Sequence, residues 1–124
     1  MPTSTPWGLS QSSRKIAPGI MFYSTAGHGG IHLSPTRQKE MKEKFPDFIT
    51  FLGDPAWWEE DCDCCVVNLA FPDCFNPEHL PRTFQYVERD EYFASCRTSP
   101  YWQELVKRFG TPKPEMEFPE LSFL

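Results

Sequence analysis

The sequence predicts an α+β domain in which a small antiparallel sheet packs against two or three helices, and three observations lead there. Residues 19–33 hold a strand-forming run and a glycine-rich turn, amphipathic segments open at Pro55 and Pro100, and thirteen prolines with seven glycines keep each element short. A length of 124 residues suits one core, so a single domain over 1–124 is expected, with a proline-rich tail over 111–124. The 40% hydrophobic and 15% aromatic fractions make that core ring-rich and argue against wholesale disorder.

Met1 to Ser13 is polar around Trp7 and Leu9 and lacks the apolar stretch of a secretory signal. Gly19 to Thr25 reads as a buried strand, and Ala26-Gly27-His28-Gly29-Gly30 as a turn whose three glycines can take positive φ. Ile31-His32-Leu33 then completes a hairpin with His28 at its tip. Ser34-Pro35 opens a charged, peripheral helix that ends near Pro46, with Met41 and Phe45 as its apolar stripe. Phe48 to Leu52 fits a strand or a turn equally well. Asp54-Pro55 repeats the cap-and-proline signal, and Trp58, Cys62, Cys65, Val66 and Leu69 follow at the spacing of a buried central helix that Pro72 stops. Residues 76–81 are expected to loop, and residues 83–96 to form a helix, or a strand then a helix, with Phe84, Val87, Phe93 and Ala94 inward. Ser99-Pro100 opens the clearest helix, with Tyr101, Trp102, Leu105, Val106 and Phe109 on one face and Gly110 at its end. In the tail, Phe118, Leu121, Phe123 and Leu124 are costly to leave in water and are expected to dock on the domain or on a partner.

Three constellations could carry chemistry. Cys62 with His28, oriented by Asp61 or Glu60, would make a thiol nucleophile, although the acidic neighbours oppose a thiolate. The plainer reading has Cys62 and Cys65 as small buried hydrophobes. Cys62, Cys65, Cys74 and His79, with His28 and His32 in reserve, could hold tetrahedral zinc, but a ligand pair on a helix is unlike a zinc knuckle. No metal and no cofactor is therefore expected. Glu59, Glu60, Asp61 and Asp63, with Glu88, Asp90, Glu91, Glu115, Glu117 and Glu120, could form an acidic face for a basic partner; scattered solvated carboxylates are the alternative. Walker-type loops and the GxGxxG, HExxH and GxSxG signatures are absent.

Thr5-Pro6-Trp7-Gly8, Gly19-Ile20, Ser24-Thr25 through Gly27-His28-Gly29-Gly30, Leu33-Ser34 with Arg37, and Glu59-Glu60-Asp61-Cys62 occur in that order. Over about the first 75 residues this pattern resembles an uncharacterised domain family of bacteria, their phages and plasmids. The resemblance implies a cytoplasmic protein of mobile-element origin and marks His28 and the Glu59–Cys62 run as shared positions. It carries no activity, and Cys64 and Cys65 stand where a Trp and a small residue are expected.

A net charge of −5 argues against direct binding to nucleic acid or anionic membrane, and no apolar run is long enough to span a bilayer. Five cysteines, three of them within four positions, suit a reducing cytoplasm. The leading expectation is a small phage- or plasmid-type protein that inhibits a host protein, such as a CRISPR effector or another nucleic-acid-handling defence complex with a basic surface. A partner-binding face of Glu59, Glu60, Asp63, Glu88, Asp90 and Glu91 would serve it. A thiol-dependent enzyme using Cys62, His28 and Asp61, or a zinc-stabilised module, are the alternatives.

Overall fold

Strand pairing begins in the polar N-terminal segment, ahead of the first apolar run. A computed structural model describes residues 2–110. Ser4–Thr5 (β1) and Gly8–Leu9 (β2) form an antiparallel ribbon around the turn that carries Trp7. Ser12–Ala17 (β3), Ile20–Ser24 (β4), Gly29–Leu33 (β5) and Trp57–Glu59 (β6) form an antiparallel sheet in the order β3-β4-β5-β6. The expected hairpin is β4–β5. The unexpected β3 reads Ser-Ser-Arg-Lys-Ile-Ala with its first four residues exposed, and charged side chains such as Arg14 and Lys15 suit an unpaired edge.

Register divides the sheet into two faces, since Ile20 pairs with Leu33, Phe22 with Ile31, and Ile31 with Trp58. Ile20, Ile31, Leu33 and Trp58 all enter the core, as period-two alternation requires. The opposite face carries Tyr23, His32 and Trp57, with the Trp57 ring 4.6 Å from His32 and 5.8 Å from Tyr23. Trp7 meets Trp57 edge-on at 5.7 Å. Of the hairpin glycines, Gly29 and Gly30 serve close approach, whereas positive φ was expected; among the described residues that conformation falls to Gly8, Gly19, Gly53 and Gly110. A Cβ on Gly30 would lie 2.3 Å from the Trp7 ring and 2.5 Å from the Trp58 carbonyl oxygen.

The first helix, Pro35–Lys44 (α1), starts as expected, with Ser34 Oγ accepting from the Arg37 amide at 3.2 Å. The central helix is shorter than its periodicity implied and spans Asp63–Ala70 (α2). Asp54-Pro55 makes a turn instead of a cap, with Asp54 Oδ1 accepting from the Ala56 amide. The chain then extends so that Trp57 and Trp58 join the sheet, where aromatic residues pack well. Trp58 therefore reaches the core from a strand and Val66 and Leu69 from a helix, a coincidence of spacing that resembles one continuous face.

After α2 come a 3₁₀ turn at Pro72–Cys74, the helix Leu80–Arg89 (α3) and a 3₁₀ segment Glu91–Thr98 kinked at Phe93. The last helix, Pro100–Phe109 (α4), matches expectation: Ser99 accepts from the Trp102 amide and Gly110 closes it at φ 65°. Phe84 of α3 stacks on Trp102 at 4.7 Å, and Tyr101 donates its hydroxyl to the Leu69 carbonyl at 2.7 Å. The Lys44 ammonium donates to the Ala70 carbonyl and lies about 5 Å over the Phe71 and Tyr101 rings. Sheet and helices share one core cluster, an α+β arrangement. Among the described residues no helix is long and apolar enough to cross a membrane. The tail, with Phe118, Leu121, Phe123 and Leu124, lies outside the described residues.

Candidate functional site

One buried carboxylate organises the most distinctive surface. Asp63, in the first turn of α2, has no solvent exposure; Oδ2 accepts from the Phe51 amide at 3.0 Å and Oδ1 from the Tyr92 hydroxyl at 2.5 Å. The loop before Gly53 is thereby held at its backbone. Phe48 turns inward to stack between Trp58 and Phe93, and Thr50 is buried with its hydroxyl on the Asp54 carbonyl. The side chains around them turn outward, with Ile49 73% exposed, Phe51 72% and Leu52 46%. An apolar triplet on a fixed loop is unlike a scattered surface residue.

Phe51, Leu52, Trp7 and Tyr92 line a cavity of about 470 Å³ together with His28, Glu59, Asp61 and Cys62. Short-range bonds set each part. Thr25 Oγ1 accepts from the His28 amide and donates to the His28 carbonyl at the hairpin tip. Thr5 Oγ1 does the same for the Trp7 turn, accepting from the Trp7 amide and donating to the Gly8 carbonyl. Glu59 Oε1 accepts from the amides of Asp61 and Cys62 at 2.9 and 3.3 Å, and the Glu60 amide donates to the Gly29 carbonyl, which docks this acidic turn on the hairpin. Asp61 and Cys62 also border a second cavity of about 970 Å³ with Cys65, His79, Arg82 and Tyr86.

A family model described as a domain of unknown function, DUF7007, matches residues 1–116. The chain belongs to this family. The match passes well beyond the residues near 75 where the motif resemblance stopped, so the DUF7007 domain takes in α3, the 3₁₀ segment and α4 as well as the sheet. No curated protein and no solved structure matches the chain.

Within this DUF7007 domain Cys62 and His28 line the same cavity, yet among the described residues no hydrogen bond joins them. Burial pushes the Cys62 thiol above its ordinary range; Glu59, Asp63 and Asp61 add to this, and a hydrogen bond from Tyr86 opposes it. Burial likewise lifts Cys65, to about 12, and Cys64, whose Sγ donates to the Trp58 carbonyl at 3.2 Å. Thiols so shifted react slowly near neutrality, because the thiolate is the attacking form. The zinc set is dispersed: His28 sits at the hairpin tip, His32 lies on Trp57, and Cys74 borders a separate small cavity, although His79 shares the larger one with Cys62 and Cys65. Among the described residues no group of three or more His, Cys, Asp or Glu side chains is placed to hold a metal ion.

The acidic residues also divide. Glu60, Asp61 and Glu91 are exposed and Glu59 and Glu88 half-buried, whereas Asp63 is internal and offers a partner nothing. Asp90 caps the 3₁₀ segment by accepting from the Tyr92 amide. Sequence reasoning missed Ile49, Phe51, Leu52, Tyr92 and Trp7. The available signal was an apolar run bracketed by Pro46-Asp47 and Gly53-Asp54-Pro55, too short for a helix and closed by turn formers at both ends.

Proposed function

We propose that this domain is a protein-binding module, a small phage- or plasmid-type inhibitor that docks on a basic, partly apolar surface of a host protein. The observation that carries the reading is that the exposed Phe51, Leu52 and Tyr92 line one cavity together with Glu59 and Asp61. Aromatic anchors beside carboxylates suit a partner's Arg or Lys, which gains ring contact along its stem and charge at its head. Net charge of −5 supports steering toward such a surface. A nucleic-acid-handling defence complex, CRISPR effectors among them, has surfaces of this chemistry.

The test is cleavage of target DNA by a purified host CRISPR effector, with binding measured in parallel. The unsubstituted domain is expected to bind and to suppress cleavage. Phe51→Ala and Asp61→Lys are each expected to weaken binding about tenfold or more, roughly 1.4 kcal/mol. Charge reversal at Glu60 should also lower the salt dependence. Absence of inhibition removes the CRISPR assignment, and binding indifferent to all three variants removes this face.

A second reading, a thiol-dependent enzyme, is favoured by the cavity that His28 and Cys62 share. It expects His28→Ala to slow alkylation of Cys62 at neutral pH, and an unchanged rate overturns it.

A further inference from the structure

Cys62 and Cys65 frame a C-x-x-C sequence across the start of α2, with Cys62 at the capping position and Cys65 in the first turn. The Cys65 amide donates to the Cys62 carbonyl at 3.0 Å. A turn closed this way holds its ends within about 7 Å between Cα atoms. Disulfides bridge Cα atoms about 4.4–6.8 Å apart, so the two ranges overlap. Cys62 has φ −126° and ψ −60°, outside helical geometry, so its thiol direction is not tied to that of α2. Both residues border the cavity of about 970 Å³, which places the pair on one open surface.

The remaining cysteines have other surroundings, although Cys64 adjoins Cys65 in the chain. Cys64 bonds to the Trp58 carbonyl on the sheet side of the helix, Cys74 borders a different cavity, and Cys96 is fully buried. We propose that Cys62 and Cys65 are a redox-active dithiol that closes to a disulfide by exchange with an external disulfide. This inference goes beyond the docking reading and does not depend on it.

Roles follow from the surroundings. A hydrogen bond from Tyr86 offsets part of the upward push that burial gives the Cys62 thiol, whereas Cys65 is shifted further toward the thiol. Cys62 therefore attacks first. Its thiolate forms a bond to one sulfur of an RSSR reagent, the S–S bond breaks, and RS⁻ leaves. Cys65 then releases its proton and attacks the Cys62 sulfur, expelling the second RS⁻ and closing the ring. Two thiols are oxidised, one disulfide is reduced, and the two thiol protons end on two RSH molecules.

The experiment equilibrates the full chain, folded and free of oxygen, in buffers of oxidised and reduced glutathione, followed by acid quench, alkylation and tandem mass spectrometry. Cys62 and Cys65 are expected to lose alkylation together, in a peptide lighter by two hydrogens, while Cys64, Cys74 and Cys96 stay alkylated. Cys65→Ser is expected to accumulate glutathione on Cys62. Three results overturn the proposal: all five cysteines alkylated at every redox ratio, a lasting glutathione adduct on Cys62 of the unsubstituted chain, or a ring that includes Cys64. Should Cys65→Ser fail to fold by circular dichroism, Cys64→Ser takes its place. The 62–65 ring must persist there, and its loss is equally fatal.

Discussion

Asp63 receives one hydrogen bond from a loop 12 residues before it and another from a side chain 29 residues after it. A buried carboxylate accepting from two donors is worth more than neutral bonds, because removal strands both partners. Asp63→Ala should therefore lower stability by about 2–4 kcal/mol in urea titration, and Tyr92→Phe by about 1–2 kcal/mol. The double variant should fall short of their sum, since both singles break the same contact. Cys62 invites a second residue-level measurement. Its thiol is pushed upward mainly by burial, so its alkylation rate should still be rising with pH beyond the ordinary thiol range, while a plateau near neutrality would contradict the shift.

Elements were legible in proportion to how many signals coincided on them. α4 had a Ser cap, a Pro in its first turn, an apolar face and a closing Gly, all in agreement. β3 had none of these, because an exposed edge strand buries too little for alternation to mark it. The segment from Pro55 misled because Trp58 and the buried face of α2 share a core from two different backbones. Of the site, the sequence offered His28, Glu59, Asp61 and Cys62. It could not show that Phe51 and Tyr92 join them, since that proximity arises through Asp63 and long-range closure. Glycine in β5 gives the sharpest element-scale test. Gly30→Ala should cost about 1–3 kcal/mol by overpacking and perturb tryptophan fluorescence as Trp7 is displaced. Gly27→Ala, with nothing within 4 Å of its new methyl and no positive φ, should be close to neutral.

At the scale of the molecule, several groups favour the protonated form more strongly in the fold than in the unfolded chain. Burial holds Cys65 and Cys96 at about 12 against an ordinary 9.0. Between those values the unfolded state releases protons that the folded state keeps, so stability present below pH about 9 is lost as pH rises toward 12. Chemical denaturation in reducing buffer should show this alkaline decline, and Cys65→Ala with Cys96→Ala should flatten it.

The tether between Asp63 and the Phe51 amide also bears on the entropy of recognition. An amide in a loop with outward side chains ordinarily exchanges its hydrogen quickly, but this one is bonded to a side chain that is itself buried. Slow exchange at Phe51 beside fast exchange at exposed neighbours would mark a surface that is displayed without being loose. Such a surface meets a partner already ordered, and the binding free energy otherwise lost to freezing a mobile loop stays in the complex.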